Sequence, residues 1–505
     1  MQRSLKPEES NHESYGGQIQ RHRRRERNTQ SMLRGPQHGD RAPSMPIAPS
    51  NAPIQQAQMK SIMDLAGELA ARNTTSQALV EDALTRIAAP SGEGARVFLR
   101  THRESALAEA RASDALRAHG IVPSPLAGIP VSVKDLFDVA GDITRAGSKA
   151  LADSAPARTD ATVVRRLRQA GAIIVGRTNM VEFAFSGLGL NPHYGTPKNP
   201  WDRATGRIPG GSSSGAAVSV SDGMAAMGLG TDTGGSVRIP AALCGLTGFK
   251  PTARRISKDG TFPLSATLDS IGPIARDVAC CALVDSILAG DAPQVPRAMP
   301  LKGLRLGVVQ DYVLDGLDSG VAEAFGKALA RLSQAGASVS DLRFEALRRL
   351  PQINQKGGLV VAEAYAVHRE LIARRQADYD PRVASRILRG ADISAADYID
   401  ILELRAAMIA DSARLAAPYD ALLMPTVAMV APAIAPLESG DQLYGKTNLA
   451  LLRNPSVVNF LDGCALSIPC QAPGAAPVGL MLVGQSGEDR RLLAVGLALE
   501  SALRS

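Results

Sequence analysis

Six serines occupy the glycine-rich segment 209–252 ahead of Arg238, and the segment contains no histidine. A serine hydroxyl is a poor nucleophile unless a neighbouring base takes its proton, so the segment raises two linked questions. One is which serine could attack a substrate, and the other is which group elsewhere in the chain could serve as its base.

The serines first suggest a nucleophile elbow, because residues 211–215 match G-x-S-x-G with Ser213 at the centre. An elbow follows a hydrophobic strand, however, whereas ATGRIPG precedes this run. Its triad also needs a downstream histidine, and His368 lies in the helical pattern AEAYAVHREL, where packing or solvent exposure explains it. His193, in the loop LNPHYGTPKNP, could contact a substrate or simply occupy a turn. The other histidines lie in the N-terminal segments: His12, His22, His38, His102 and His119. We therefore do not expect a Ser-His-Asp enzyme.

Most other sources of a base or a bound group are missing as well. No serine has a lysine three residues on, no Gly-Lys-Ser/Thr follows these glycines, and no full G-x-G-x-x-G follows a strand. Metal-ligand spacings are missing too, so we expect no metal and no cofactor. Lys134, at the end of the strand-like VSVK, could be a base if burial lowers its pKa towards neutrality. A solvated surface charge is the alternative for any lysine, and these residues alone leave both open.

Longer motifs resemble the amidase signature family of serine hydrolases. They are GGSSSG with GTDTGGSVRIPAALCGLTGFKPT, supported by PVSVKDLFDVAG, GRTNMVEFAFSGLGLNPHYGTPKNP, LDSIGPIARDV, CALSIPC and PVGLMLVG. The resemblance extends from about residue 130 to the C-terminus, and by motif position it implies a Ser-cisSer-Lys triad. Ser236 is the implied nucleophile, Ser212 the bridging serine and Lys134 the base. The implied cis peptide joins Gly211 to Ser212.

The resemblance also assigns roles around the triad. The backbone amides of the TDTGGS turn are implied to form an oxyanion hole, where glycines allow a substrate carbonyl to approach closely. The implied donors are Thr233, Gly234, Gly235 and Ser236. The implied supporting residues, which hold this loop by hydrogen bonds, are Ser213, Asp232 and Arg238.

The sequence departs from the family pattern at two positions. The family's GGSSGG has Ser214 in place of a glycine here, and its Gly-Leu-Gln reads Gly479-Leu480-Met481. One small residue should substitute for another, and the lost amide affects structure at most. Neither change touches the implied triad, so we expect an active enzyme.

The elements that must position these residues predict an α/β protein. VSVK and AIIVG are strand-like and flank a helical pattern, GLRLGVVQD begins a strand-helix-strand unit around 303–344, and RRLLAVGLALESALRS is a closing helix. Two amphipathic helices follow Met59, the second capped by Thr75 or Ser76. The resemblance implies a single large domain, a mixed twisted β-sheet covered on both sides by helices.

The predicted domain covers 59–505, with its signature core at about 130–290. The least patterned part, 345–450, reads as Ala- and Arg-rich helices followed by a loop region with Pro and Gly. Together with loops around 185–200, it is implied to form the variable substrate pocket. We therefore expect substrate choice to depend on residues that a single sequence does not single out.

Charge and cysteine content exclude several other classes. The net charge is +7, but residues 1–58 hold nine Lys/Arg and five Asp/Glu, so this predicted disordered polar tail carries more than half of it. The remainder gives no basic surface for nucleic acid. The five cysteines form no CxxC pair and lie in apolar runs, which favours free buried thiols: Cys244, Cys280, Cys281, Cys464 and Cys470. No apolar stretch is long enough for a membrane span, and RHRRRER lacks a following apolar region, so we expect a cytoplasmic protein.

The resulting hypothesis is an amidase that converts a small-molecule amide and water into a carboxylic acid and ammonia. Two alternatives remain open. One is the glutaminase subunit of a tRNA-dependent amidotransferase, and the other is a binding protein that has kept the fold without activity. Aryl, aliphatic, indoleacetamide-like and ureido amides are all possible substrates, and a homodimer is a possible assembly.

Overall fold

A computed structural model describes residues 60–504, so the predicted tail over 1–58 lies outside the described residues. Within this range the strands are β1 (Phe98–Thr101), β2 (Pro130–Lys134), β3 (Ile173–Thr178), β4 (Met227–Asp232), β5 (Thr247–Lys250), β6 (Ser270–Ala275), β7 (Arg305–Val309), β8 (Ser338–Leu342), β9 (Ala421–Pro425), β10 (Cys464–Pro469) and β11 (Gly479–Gly484). The α-helices are α1 (Ile62–Ala70), α2 (Ser76–Ala88), α3 (Gly94–Val97), α4 (Arg103–Ala118), α5 (Thr162–Gln169), α6 (Ser214–Ser221), α7 (Arg238–Cys244), α8 (Val278–Ala289), α9 (Ser319–Gln334), α10 (Leu350–Ile353), α11 (Gly358–Arg375), α12 (Pro381–Leu388), α13 (Ala395–Ala416), α14 (Ile434–Ser439), α15 (Asp441–Phe460) and α16 (Asp489–Arg504).

All the strands between residues 60 and 504 join one sheet, in the order β1-β3-β2-β4-β6-β5-β10-β11-β9-β7-β8. Strand β2 runs parallel to both β3 and β4, and β7 runs parallel to β8 and β9. The central strands β4, β6, β5, β10 and β11 pair antiparallel in turn. The predicted mixed sheet is therefore confirmed.

Both faces of this sheet are covered. Along β3, Ile174 belongs to a large apolar cluster that includes residues of α5, α8 and α16, whereas Ile173 and Val175 belong to a second cluster with residues of α2, α4 and α6. Successive side chains of a strand point to opposite faces, so the two clusters lie on opposite sides of the sheet. The structure thus confirms a sheet enclosed between helical layers.

Local sequence signals explain most of the predicted elements. Thr75, one of the two proposed caps of α2, accepts a hydrogen bond from the Ala78 amide, which satisfies one of the free donors at the helix start. The unit β7–α9–β8 matches the predicted strand-helix-strand around 303–344, and α16 is the predicted closing helix. The five cysteines are free, and all but Cys470 are fully buried. Between residues 60 and 504, no helix has both the length and the apolar character needed to cross a bilayer.

The prediction for the variable segment was wrong at its end. The Pro- and Gly-bearing loop expected before residue 450 is largely helical, because α14 and α15 cover 434–460 with a single residue between them. Helix α15 continues through Pro455, which lacks an amide hydrogen and normally disrupts a helix interior. Its surroundings compensate, since most of the second half of α15 is buried against the core.

The topology determines where a site can form. Strands β2 and β4 are parallel neighbours, so their carboxyl ends, Lys134 and Asp232, lie at the same edge of the sheet. The crevice outside such an edge is a common position for ligand sites in α/β proteins. The serine-rich loop before α6 and the turn between β4 and α7 both meet this edge through hydrogen bonds to these two residues.

Candidate active site

Lys134 is the last residue of β2, and its side chain is fully buried. Its Nζ atom donates one hydrogen bond to Ser212 Oγ and another to Thr231 Oγ1, each over 2.8 Å. The strand therefore holds the amine within proton-transfer distance of a serine from the GGSSSG loop. The sequence left a surface charge open as the alternative for this lysine, and its burial excludes that alternative.

Burial lowers the pKa of Lys134 to about 7, although the nearby carboxylates of Asp269 and Asp232 act in the opposite direction. Removing an ammonium from water disfavours its charged form, and the hydroxyl partners of Lys134 offer only partial compensation. A lysine in this condition is neutral in a large fraction of molecules near pH 7. It can accept a proton, which an ordinary surface lysine cannot do at that pH.

Ser212 lies in a loop that several backbone contacts hold in place. The Gly211–Ser212 peptide bond is cis. The Gly211 amide donates to the Gly187 carbonyl over 2.8 Å, and the Val181 amide donates to the Ser212 carbonyl over 3.1 Å. A Cβ atom on Gly211 would lie 2.7 Å from the Gly189 nitrogen, so only glycine fits there.

Ser236 follows β4 by four residues and is 3 % exposed, in contrast to the fully buried Ser212. The Ser213 amide donates to the Ser236 carbonyl over 3.3 Å, which joins the two serine-bearing loops. The Ser213 hydroxyl instead donates to the Thr231 carbonyl over 3.4 Å. Ser213 thus connects the loops through its backbone and turns its side chain towards β4.

Asp232, at the end of β4, organises the turn that leads to Ser236. Its Oδ1 accepts hydrogen bonds from the Gly235 amide (2.8 Å), Arg238 Nη2 (2.8 Å) and Asn459 Nδ2 (3.0 Å). Its Oδ2 accepts bonds from the Val237 amide (3.2 Å) and from Arg238 Nε (3.0 Å). Burial alone would raise the pKa of Asp232, but the guanidinium of Arg238 holds it well below its usual range. The carboxylate therefore remains charged and acts as a fixed acceptor.

Arg238 is fully buried and makes further contacts to the C-terminal part of the domain. Its Nη2 atom also donates to Asn459 Oδ1 over 2.6 Å and to the Pro455 carbonyl over 3.0 Å. Its Nη1 atom lies 3.2 Å from the sulfur of Met481, the residue that departs from the family's Gly-Leu-Gln. That departure thus touches the network behind the active-site turn.

One of the four predicted oxyanion donors is already engaged. The Gly235 amide donates to Asp232, so its hydrogen is directed at this carboxylate and not at a substrate. Gly235 has φ +126°, a conformation that favours glycine, and a Cβ there would lie 2.6 Å from Pro455. We therefore revise the expectation and keep Thr233, Gly234 and Ser236 as candidate donors, with Gly235 shaping the turn.

The two histidines weighed in the sequence both have other partners. His193 Nε2 lies 2.8 Å from the buried Glu182 carboxylate. His368 is fully buried and packs against Phe183, Phe262 and Tyr379, and burial lowers its pKa to about 4. His368 is therefore a packing residue, in agreement with one of the two explanations offered for it.

Sequence reasoning missed several residues of the site. Thr231 gives Lys134 its second acceptor, and Asn459 in α15 bonds both Asp232 and Arg238. Thr231 stands within the quoted motif GTDTGGS, so its position two residues before Thr233 was a usable signal. Asn459 lies far along the chain, outside all the motifs quoted above. No local sequence pattern indicates its role. Ser214, the other departure from the family pattern, begins α6, and its buried hydroxyl has no hydrogen-bond partner among residues 60–504.

A phosphate-loop pattern was also overlooked. Residues 440–447, GDQLYGKT, match G-x-x-x-x-G-K-T outside the serine segment. All but the first of these residues form the start of α15, and Lys446 is exposed. The glycine-rich loop that would surround a phosphate is therefore not formed, and the match is accidental. Metal ligands are also missing in the described range 60–504, which contains no cluster of three or more His, Cys, Asp or Glu suited to a metal ion.

Comparison with known proteins identifies the family to which the chain is related. The Amidase family profile matches residues 78–493. The chain is 37% identical to 2-amino-5-chloromuconic acid deaminase of Comamonas testosteroni, over 78% of this chain and 86% of the relative. It is 33% identical to a glutamyl-tRNA(Gln) amidotransferase subunit of Acidothermus cellulolyticus, over 88% of this chain and 94% of the relative. A crystal structure of an amidase superposes with a TM-score of 0.79 at 34% identity, covering 88% of this chain and 99% of the other.

The chain therefore belongs to the amidase signature family. Its fold, a single domain with a large mixed sheet flanked by helices, is that of the family's known structures. Membership supports a hydrolase acting on carbon–nitrogen bonds.

Proposed function

We propose that this protein is an amidase that hydrolyses a carboxylic amide to an acid and ammonia, through an acyl-enzyme on Ser236. Ser212 and Lys134 serve as its proton relay. The contact that carries the proposal is the 2.8 Å hydrogen bond between the fully buried Lys134 Nζ and Ser212 Oγ. A buried neutral amine bonded to a serine is an arrangement suited to moving a proton.

In the acylation step, Ser236 Oγ attacks the amide carbonyl carbon and loses its proton to Ser212. Ser212 passes its own proton to neutral Lys134, which becomes an ammonium. The tetrahedral intermediate then collapses, and the carbon–nitrogen bond breaks as the proton returns through Ser212 to the leaving nitrogen. Ammonia departs, Lys134 is neutral again, and the acyl group remains as an ester on Ser236.

The negative charge that develops on the carbonyl oxygen needs fixed donors nearby. We assign this role to the amides of Thr233, Gly234 and Ser236, which lie in the turn that Asp232 holds. Losing one such donor typically reduces turnover about 10²- to 10³-fold. In the second half of the reaction, water attacks the ester, and the same relay takes its proton and returns it to Ser236.

The assignment of Ser236 is tested with a fluorophosphonate probe, followed by digestion and mass spectrometry of the labelled peptide. The probe needs no knowledge of the natural substrate. We expect the label on Ser236, no label in Ser236→Ala, and labelling slowed about 10²- to 10⁴-fold in Lys134→Ala. Ser221→Ala is a matched control in the same segment, because this hydroxyl only bonds the Val218 carbonyl within α6. It should label like the unaltered protein.

Two results would overturn the proposal. A label on Ser213 would place the nucleophile elsewhere, and undiminished labelling in Lys134→Ala would remove the base. Unchanged melting of Ser236→Ala separates loss of chemistry from loss of fold, because a loop hydroxyl contributes little to the core.

Substrate choice is approached through ammonia release from a panel of aryl, aliphatic, indoleacetamide-like and ureido amides. We include 2-aminomuconate-type acids, because one relative is named as a deaminase of such a compound. We propose that the segment 345–450 shapes this choice. The amidotransferase alternative is tested in the same assay, since turnover of a simple amide by the isolated chain would count against a need for partner subunits.

A further inference from the structure

A second carboxylate, Asp269, lies beside the active-site turn and has no role in the proposed chemistry so far. It directly precedes β6 within the motif LDSIGPIARDV and is 6 % exposed. Its Oδ1 accepts the Thr233 hydroxyl over 2.5 Å. Its Oδ2 accepts the amides of Leu264 (2.9 Å) and Ser265 (3.0 Å). Asp269 thus joins the first residue of the turn to the loop 264–269.

The charge of Asp269 is not neutralised as that of Asp232 is. Asp232 forms a buried ion pair with Arg238, whereas no ion pair to Asp269 occurs among residues 60–504. Burial raises the pKa of Asp269, and the hydrogen bonds from Thr233, Ser265 and Leu264, followed by the charge of Lys258, act in the opposite direction. Ser270, the residue after Asp269, pairs with Asp232 across the β4–β6 ladder, so Asp269 lies beside the strand end that also carries Thr231, a hydrogen-bond partner of Lys134. The carboxylates of Asp269 and Asp232 both raise the pKa of Lys134 against the effect of burial.

Glu363, in α11 of the variable segment, fixes the loop that carries Asp269. It accepts the Ser265 hydroxyl over 2.5 Å, the Thr267 amide over 3.0 Å and the Tyr398 hydroxyl over 2.8 Å. The Thr267 hydroxyl donates to it as well. One carboxylate from outside the signature core thereby holds both ends of the short turn that precedes Asp269.

We infer that Asp269 is a positioning residue of the amidase site. It anchors Thr233 at the start of the oxyanion turn and supplies the negative charge that stabilises the Lys134 ammonium formed during acylation, while Glu363 keeps its loop in place. This inference rests on the proposed function. It adds to the three relay residues a carboxylate that acts through Thr233 and through its charge on Lys134.

The physical reason lies in the charge that the relay creates. When Ser212 passes its proton on, a buried ammonium appears at Lys134, and a fixed nearby anion lowers the energy of that state. Other charged groups near Lys134 are already paired: Asp232 with Arg238, and the adjacent Asp135 with Arg177. Asp269 is thus the group whose removal should change the proton affinity of Lys134 most.

Asp269→Asn tests the inference, because the side chain can turn its oxygen to the Leu264 and Ser265 amides and its NH2 to Thr233. The readout is the acid limb of the kcat/KM profile on the best amide of the panel. We expect this limb to move to lower pH by about one unit and kcat to fall about tenfold, since a nearby opposite charge shifts the pKa of a titratable group by about 1–3 units.

Two variants separate charge from positioning. Thr233→Val breaks the hydrogen bond and keeps the Asp269 charge, so kcat should fall while the acid limb stays in place. Glu363→Gln loosens the loop, and the same pattern is expected with a smaller loss. If Asp269→Asn does not fold, Asp269→Glu takes its place. This variant keeps the charge, so we expect the acid limb to stay in place and kcat to fall.

An acid limb that stays fixed in Asp269→Asn, or one that shifts in Asp269→Glu, overturns the inference. Failure of the proposed function is recognised separately, because the fluorophosphonate label would then lie on a residue other than Ser236. Ser236 labelled together with an unmoved limb rejects the role of Asp269 alone.

Discussion

Lys134 and Ser212 stand 78 residues apart in the chain, yet the lysine amine donates a 2.8 Å hydrogen bond to the serine hydroxyl. The lysine comes from the end of a central strand, and the serine comes from the loop before α6. Burying an amine without a carboxylate in direct contact costs stability. The two hydroxyl groups that accept hydrogen bonds from Lys134 offset only part of that cost. The consequence is an amine whose two protonation states are close in free energy near neutral pH.

The first prediction concerns stability against pH. The pKa of Lys134 is about 7 in the folded chain and about 10.5 when unfolded, so between these values the unfolded state binds a proton that the folded state lacks. The free energy of unfolding therefore rises with pH across this window. Below pH 7 the folded chain bears the full cost of burying the charged Lys134 amine. In Lys134→Met the increase in unfolding free energy from pH 7 to pH 9 should be smaller than in the unaltered protein by about 2 kcal/mol. Urea denaturation at both pH values measures it.

The control for this prediction is Lys446→Met, which removes an exposed lysine of α15. Its gain in stability between pH 7 and 9 should equal that of the unaltered protein. Equal gains in Lys134→Met and the unaltered protein would mean that Lys134 stays charged in the fold, and the relay would lose its base.

Most residues proposed for this site sit in contiguous motifs, so the family resemblance could assign their roles from the sequence. The alternation in VSVK indicated a strand, and the family resemblance implied convergent amides in the TDTGGS turn. Asn459 and Glu363 could not be predicted this way, because their contacts with Asp232 and with Thr267 join residues more than 90 positions apart in the chain. Helix α15 was missed for a related reason, since Pro455 and Gly445 disfavour a helix locally while tertiary burial outweighs that preference.

The second prediction concerns the buried pair of Asp232 and Arg238. Both side chains are fully buried, so removing one leaves the other charge without its partner. Arg238→Met should lower the free energy of unfolding by about 3–5 kcal/mol, as is typical for a broken buried pair. The measurement is urea denaturation at pH 7. As a control, Lys327→Ala breaks the exposed pair with Glu323 and should leave the denaturation midpoint unchanged. Similar losses of unfolding free energy in both variants would show that the buried ion pair stabilises the fold no more than the exposed one.

The third prediction compares two adjacent glycines of the turn. Gly235→Ala places a Cβ 2.6 Å from Pro455 and 2.7 Å from Ile239 at φ +126°, so we expect a loss of about 3 kcal/mol and no measurable turnover. At Gly234 the nearest atom would be the Ser456 hydroxyl at 3.0 Å, a side chain that can move. Gly234→Ala should therefore cost less than about 1 kcal/mol. Thermal melts of the two variants decide between these values, and equal losses would contradict the geometry of the turn.

The last prediction returns to Met481, where the family pattern has glutamine. Its sulfur is a weak acceptor 3.2 Å from Arg238 Nη1, whereas a glutamine of similar length would offer a carbonyl oxygen to the same guanidinium. Hydrogen bonds to charged groups contribute about 1.5–3 kcal/mol, and burial of the amide offsets part of that. Met481→Gln should therefore raise stability by about 1 kcal/mol in urea denaturation.

Met424 provides the matched control, because it faces Met481 across the β9–β11 ladder and is 2 % exposed. It has no comparable contact with a guanidinium, so the amide of Met424→Gln would be buried without a charged partner. We expect that variant to lose about 2 kcal/mol. Opposite signs at these two paired methionines are expected if Arg238 donates a hydrogen bond to the new glutamine oxygen. A loss of stability in both variants would show that Arg238 gains nothing from an oxygen at position 481. The methionine that departs from the family pattern would then cost this chain no stability.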